Sequence, residues 1–439
     1  MTTPDAAPPR TPSAPTDGSS GRARSHPTGL YVLFFTELAE RYSFYSMMAI
    51  LTLYMDESLH FSPEVIGQVY GGYVAAVFFM PLAGGLLADR WLGFYRAVIV
   101  GGVLIGVGQL VLGVGTLFTF FAGLALLACG TGMLKPNVST IVGNLYADRP
   151  ELRDSGFNIF YMGINTGSFI APIVVSYLRH AFGWRVAFAS AALGAVVALA
   201  IFISFRRHLG QPGRTSGPRA ENVETAGSDS RARVSALLVV FAIVIAFWVA
   251  FYQNGFTLTL WARDNTATSL APETFQSVNP LGIILFSPLL VGLWAALRRR
   301  GAEPSTLGKM LVGMVFTVAT FVTMMAAGLA GGDSDRVSAG WLVGAYLLIA
   351  VAEICLSPMG LSLVTRIAPA RHRGTMMGAW FVATALGGYL AGFLGTFWYR
   401  MPHSEFFLLV AGVAAAAAGV LVVAKPRLQA VFAAVDGKA

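Results

Sequence analysis

Residues 36–45 read Thr36-Glu37-Leu38-Ala39-Glu40-Arg41-Tyr42-Ser43-Phe44-Tyr45, inside an apolar run that extends from residue 29 to 55. A bilayer-spanning helix needs about 20 such residues, so the run is long enough to cross. It nevertheless carries two acids and an arginine. At roughly 100° per residue, Glu37, Glu40, Arg41 and Tyr45 fall within an arc of about 140°. An ionised side chain in mid-bilayer costs about 2.5–3.5 kcal/mol on insertion scales. A stripe of this kind cannot face lipid. It must face the interior of a helix bundle, which makes the chain a polytopic membrane protein with a polar centre.

The composition agrees. Of 439 residues 55% are hydrophobic and only 12% charged, about half the charge of a soluble domain. A soluble enzyme, a disordered chain and a nucleic-acid binder are excluded, because none can cover or solvate itself with so few polar groups. The two cysteines, Cys129 and Cys355, lie in apolar runs and read as small packing residues. They form neither a disulfide framework nor a metal spacing, and no histidine sits mid-span.

Twelve apolar runs follow one another: 29–55, 64–88, 96–118, 119–146, 155–178, 182–205, 234–262, 274–299, 308–330, 338–366, 371–397 and 404–424. Residues 1–27, rich in Pro, Thr, Ser and Gly, form a disordered tail rather than a signal peptide, since no short apolar core is present. The polar stretch 206–233 is a linker that separates a first half, 28–205, from a second, 234–424, and 425–439 is a C-terminal tail. Six helices plus six suggest the major facilitator fold, with a substrate site between the halves near the bilayer midplane.

The charges test this layout. With both termini in the cytoplasm, 23 of the 30 Lys and Arg fall in cytoplasmic segments. Only Arg179, Arg185, Arg263, Arg336 and Arg400 fall outside, and Arg41 and Lys135 stand mid-span. Miscounting one helix would scramble that bias, so twelve spans with both termini inside are expected. The net charge of +8 is thus mainly topological, and a phosphate-binding role is a poor reading of it.

Two further charges stand within spans. Lys135 lies in Gly130-Thr131-Gly132-Met133-Leu134-Lys135-Pro136-Asn137, where glycines permit close helix approach and the proline loosens the helix ladder. Glu353 precedes Pro358 in a similar setting. With Glu37, Glu40 and Arg41 these make three acids and two cations. If all ionise, the set carries −1, which one proton would neutralise. Structural ion pairs between helices are the competing reading of any single member.

At these residues the sequence resembles the proton-dependent oligopeptide transporter (POT/PTR) family of the major facilitator superfamily. Thr36 to Tyr42 resembles its ExxER(F/Y) signature, Gly85 to Gly93 its loop between helices 2 and 3, and Gly130 to Ser139 its GTGxxKPNxS motif. Asp154 to Asn165, Phe275 to Pro280 and Glu353 to Pro358 resemble further family motifs in the same order. The resemblance implies a proton-coupled symporter of di- and tripeptides in a cell membrane, not an enzyme, with the proton as coupling ion and no other cofactor or metal. It implies small peptides and the bilayer as partners, no nucleic acid, and a monomer.

By residue, it implies that Arg41, Tyr45 and Lys135 hold the peptide carboxylate, which a planar guanidinium and a point ammonium suit. Asn165, Asn279 and Glu353 are implied for the free amino group. Glu37 and Glu40, beside Arg41, are implied as proton-coupling groups. A carboxylate whose proton affinity depends on whether Arg41 holds substrate links protonation to binding. Tyr73, Tyr252 and Trp380 are pocket candidates, with interior packing as the alternative. Asp89, Arg90 and Arg96 read as a cytoplasmic latch between helices.

The chain departs from the family in two ways. Residues 206–233 are too short and polar for the two extra helices common in bacterial members. Where many members carry an arginine on helix 1 and an acid on helix 7, this chain has Met48 and Tyr252. Losing one partner of a buried pair costs about 3–5 kcal/mol, whereas replacing both can be neutral. The expectation is therefore a gate in which Met48 and Tyr252 pack, with closure less sensitive to pH and salt. Other cargoes bearing a carboxylate (a peptide-like drug, an amino-acid conjugate, nitrate) and a non-transporting peptide sensor are the alternative functions.

Overall fold

The structure, a computed structural model, describes residues 26–147, 149, 152–209, 230–369 and 373–435. Most of the expected tail 1–27 and linker 206–233 lies outside the described residues. The chain builds α1 (Thr28–Leu53), α2 (Pro63–Leu87), α3 (Gly93–Leu112), α4 (Leu117–Asn144), α5 (Arg153–Phe182), α6 (Trp184–Ser204) and α7 (Ser230–Phe251). A short α8 (Thr257–Asp264) follows, then α9 (Val278–Arg299), α10 (Thr306–Ala330), α11 (Ala339–Ile367), α12 (Arg373–Gly395) and α13 (His403–Val435). The fold is all-helical apart from a two-residue parallel ladder, β1 (Thr266–Ala267) on β2 (Val337–Ser338).

Among the described residues ten segments are long and apolar enough to cross a membrane. One of them runs through both α2 and α3, and α1 is not among them, because Glu37, Glu40 and Arg41 lower its hydropathy. The helices pack as two groups. In the first, α1 lies on α5 and α6, and α4 on α2 and α3. In the second, α10 lies on α11 and α13, and α7 on α12 and α13. Helix α2 crosses to α12 and α5 to α9. The α2–α12 crossing is backbone on backbone: a Cβ on Gly392 would lie 2.2 Å from the carbonyl oxygen of Gly67.

Three details differ from the sequence reading. The turn between the third and fourth runs falls at 113–116, not at 118/119, because Gly115 adopts a left-handed φ of 88°. Thr116 and Thr119 then cap α4 reciprocally, with Thr119 N donating to Thr116 Oγ1 at 3.2 Å and Thr116 N to Thr119 Oγ1 at 3.0 Å. The seventh run, 234–262, is broken by a tight turn at Tyr252–Gly255 before α8. The expected tail 425–439 begins as helix, since α13 continues to Val435 and buries Leu428 and Phe432 one turn apart. At the other end of the chain His26, the penultimate residue of the expected tail, is held by a 2.8 Å hydrogen bond between its Nδ1 and the Tyr146 hydroxyl.

Candidate functional site

The stripe on α1 forms a buried triad. Arg41 Nε lies 3.2 Å from Glu37 Oε1, and Arg41 Nη2 lies 2.5 Å from Glu40 Oε2. Helical spacing brings both acids to one guanidinium, from four residues away and from the adjacent residue. All three side chains are at most 3% exposed. The guanidinium also lies 5.1 Å from the ring centroid of Phe44.

A cavity of about 380 Å³ lies between the two helix groups. Arg41, Tyr45 and Met48 of α1, Tyr73 and Phe78 of α2, Lys135 of α4 and Asn165 of α5 form one side. Trp248 of α7, Tyr252, Asn279 of α9, Glu353 of α11 and Trp380 of α12 form the other. Lys135 makes no ion pair with a described residue; its Nζ sits 4.9 Å above the Phe78 ring. Asn279 Nδ2 donates a long 3.5 Å hydrogen bond to Glu353 Oε2. Asn165 Nδ2 donates to the Tyr161 carbonyl at 2.9 Å, and its amide oxygen is the acceptor suited to a ligand's ammonium. The Tyr73 hydroxyl is buried with no hydrogen-bond partner among the described residues.

The arrangement separates charge along the cavity. Two cations come from α1 and α4, and one carboxylate with an amide beside it comes from α11 and α9. A small molecule with an anionic end and a cationic end can bridge the two walls.

Of the five intramembrane charges, the structure brings Arg41, Lys135 and Glu353 to the cavity and leaves Glu37 and Glu40 behind Arg41. Glu40 instead borders a small apolar void with Thr36, Val98, Leu134 and Phe202. Tyr252 stacks on Trp248 with centroids 5.4 Å apart and lies 5.9 Å from Phe78, so its surroundings are aromatic. Asp89, Arg90 and Arg96 are exposed, and none pairs with a described residue. Several wall residues were not singled out from the sequence: Tyr70, Phe78, Tyr161, Ser168, Gln276 and Tyr346. Tyr161 and Gln276 had a signal, standing one helical turn before Asn165 and Asn279 in the same motifs.

Residues 33–391 match the model of the Major Facilitator Superfamily. The peptide transporter YePEPT of Yersinia enterocolitica subsp. palearctica is 33% identical, over 84% of this chain and 88% of that protein. The di-/tripeptide transporter of Lactococcus lactis subsp. cremoris is 30% identical, over 92% and 96%. A crystal structure of a peptide transporter POT in complex with sulfate superposes with a TM-score of 0.85 at 30% identity, covering 92% of this chain and 96% of that one. The chain belongs to the POT family of the Major Facilitator Superfamily. A second POT family transporter, solved in complex with a thioalcohol-conjugated peptide, gives a TM-score of 0.84 at 26% identity. This POT protein is a multi-pass membrane transporter and not an enzyme, as its sequence led us to expect.

Proposed function

We propose that this POT protein is a proton-coupled symporter of di- and tripeptides that works by alternating access. The observation that carries the reading is the cavity itself. It pairs Arg41 and Lys135 on one wall with Glu353, Asn279 and Asn165, a receptor for both charged ends of a free peptide. Its volume falls in the range of small-molecule sites, about 300–1,000 Å³. Tyr45 and Tyr73 supply hydroxyls beside the cations, and Tyr252 and Trp380 supply apolar wall. The position of Glu37 and Glu40 behind Arg41 supports coupling. A peptide carboxylate that draws Arg41 toward the cavity weakens its hold on an acid, which can then take a proton.

The charge bias of the loops supports twelve spans, formed by α1–α6, α7 with α8, and α9–α13, with both termini in the cytoplasm. The end at which α1 meets α2 is then the outer face. The protein works as a monomer, with the proton as coupling ion.

The test is dipeptide-driven acidification of proteoliposomes containing wild type or Glu40→Gln. Wild type should acidify with dipeptide, and Glu40→Gln should bind peptide without moving protons. Amidation or N-acetylation of the dipeptide should raise KM. Uptake without proton flux in wild type defeats symport; no binding of any dipeptide defeats the cargo.

A further inference from the structure

The outer end of the bundle holds three ion pairs that join the first helix group to the second. Asp56, just past α1, pairs with Arg263 of α8. Arg179 Nη1 of α5 donates to both carboxylate oxygens of Glu273, at 3.0 and 3.1 Å, and Arg179 also pairs with Glu57. Arg400, past α12, donates from Nη2 to Glu64 Oε1 of α2 at 2.8 Å. Below them, neutral hydrogen bonds cross the same seam: Thr52 Oγ1 to the Gly255 carbonyl at 2.7 Å and Gln276 Nε2 to the Ala49 carbonyl at 3.1 Å.

We infer that Asp56–Arg263, Arg179–Glu273 and Glu64–Arg400 are the outer gate of this transporter, an ionic belt that must break when the halves part on the outside. The inference rests on the alternating-access reading above. Its first ground is connectivity: each pair links opposite helix groups, so none survives their separation. The contrast is the Arg298–Glu303–Lys309 cluster at the other end, which lies wholly within the second group and has no reason to break.

The second ground is economy of charge. Only five cations stand on the outer face, where basic residues are disfavoured, and three of the five are committed to these pairs. The belt also revises the expectation drawn from Met48 and Tyr252. Charge control of outer closure has not been exchanged for packing alone; it sits further out, at the helix ends.

Burial ranks the pairs. Glu273 is fully buried and Arg179 is 11% exposed, so losing Arg179 leaves a buried carboxylate with the more distant His180 ring, 3.8 Å away, as its remaining partner among the described residues. Arg400 and Glu64 are 56% and 39% exposed, a pair that salt screens and that contributes little. Asp56–Arg263 lies between them, at 27% and 25%.

The experiment measures the outer separation directly. Spin labels are placed at Val114→Cys and Ser334→Cys, exposed positions on opposite helix groups, in a Cys129→Ala/Cys355→Ala background in liposomes. Pulsed dipolar spectroscopy then reads the long-distance, outer-open population without peptide or pH gradient. Arg179→Gln should raise that population relative to the closed one about tenfold or more. Arg400→Gln should raise it about two- to fivefold at low salt and less at high salt. Arg400→Glu should open the outer face further, and adding Glu64→Arg should close it again, which guards against a merely misfolded variant. Arg298→Gln should leave the distances unchanged. The belt is overturned if Arg179→Gln and Asp56→Asn keep the wild-type distribution, or if the Glu64/Arg400 exchange fails to reclose the outer face. Because the readout needs no substrate, a failed peptide assay alongside belt-dependent distances would sink the cargo reading alone.

Discussion

The sharpest consequence of the α1 triad is an asymmetry among its three charge removals. Arg41 is the cation shared by two buried carboxylates, 3.2 Å and 2.5 Å away. At an effective dielectric of about 20, each contact is an attraction of roughly 5 kcal/mol before desolvation. Glu37→Gln or Glu40→Gln removes one attraction. It also removes the repulsion between the two acids and the burial cost of one charge, and it leaves a neutral pair. The net loss should be about 1–2 kcal/mol.

Arg41→Gln removes both attractions and keeps both acids buried and facing each other. It should cost at least about 3–5 kcal/mol. The triple variant Glu37→Gln/Glu40→Gln/Arg41→Gln leaves no stranded charge, and should recover most of that loss. The assay is unfolding free energy by SDS titration in mixed micelles, read from helix content, for wild type and the four variants. If Arg41→Gln is no worse than either acid removal, or if the triple variant is as unstable as Arg41→Gln, the shared-cation account of α1 is wrong.

Tyr73→Phe removes a buried hydroxyl that has no described partner, so it should raise the apo protein's stability by about 1 kcal/mol while raising the KM for dipeptide; a loss of thermal stability would refute this. A Cβ at Gly360 would lie 2.2 Å from the Trp380 indole, so Gly360→Ala should displace that ring, cost about 1–3 kcal/mol and shift KM, and an unchanged KM would count against Trp380 as cavity wall. Hydrogen bonds from Arg298 and Lys309 hold the Glu303 carboxyl down at about 2. With a native value below the unfolded value of about 4.3, its stabilisation is present above pH 4.3 and lost as pH falls toward 2. The gap in thermal midpoint between wild type and Glu303→Gln should therefore shrink from pH 7 to pH 3, and a constant gap contradicts it. Met48→Arg and Tyr252→Glu should each impair transport alone and recover in the double variant; strictly additive losses would mean that the two positions do not face each other across the gate.

What could be read from the sequence follows the cost of charge. Arg41, Lys135 and Glu353 were conspicuous because a bilayer makes their presence in a span expensive, and all three line the cavity. The same logic picked out Glu37 and Glu40 but not their depth. A stripe about 140° wide faces both the cavity and the packed helices behind it, and only the rotation of α1 against its neighbours separates the two. Breaks were harder to read. Tyr252-Gln253-Asn254-Gly255 is a four-residue polar dip inside an otherwise apolar run, too short to divide the run by the length a span needs, and the 113–116 turn depends on one left-handed glycine and a hydroxyl cap.

The outer belt had no signal of this kind. Asp56, Glu57, Glu64, Arg179 and Glu273 stand at helix ends or in turns, where water is near and charge is unremarkable. Their pairing depends on which helix ends the fold sets side by side, and sequence distance hides it: Asp56 and Arg263 are 207 residues apart, and Glu64 and Arg400 are 336 apart. The loop-charge count did mark their cations, as the few arginines on the side that the expected orientation disfavours. Orientation alone would favour removing them from that face. Arg179, Arg263 and Arg400 each meet an acid of the opposite helix group there. Under the proposed orientation these three arginines are therefore best read as contacts the protein must make and break, whereas Arg298 at the opposite end pairs within one helix group and has no reason to break.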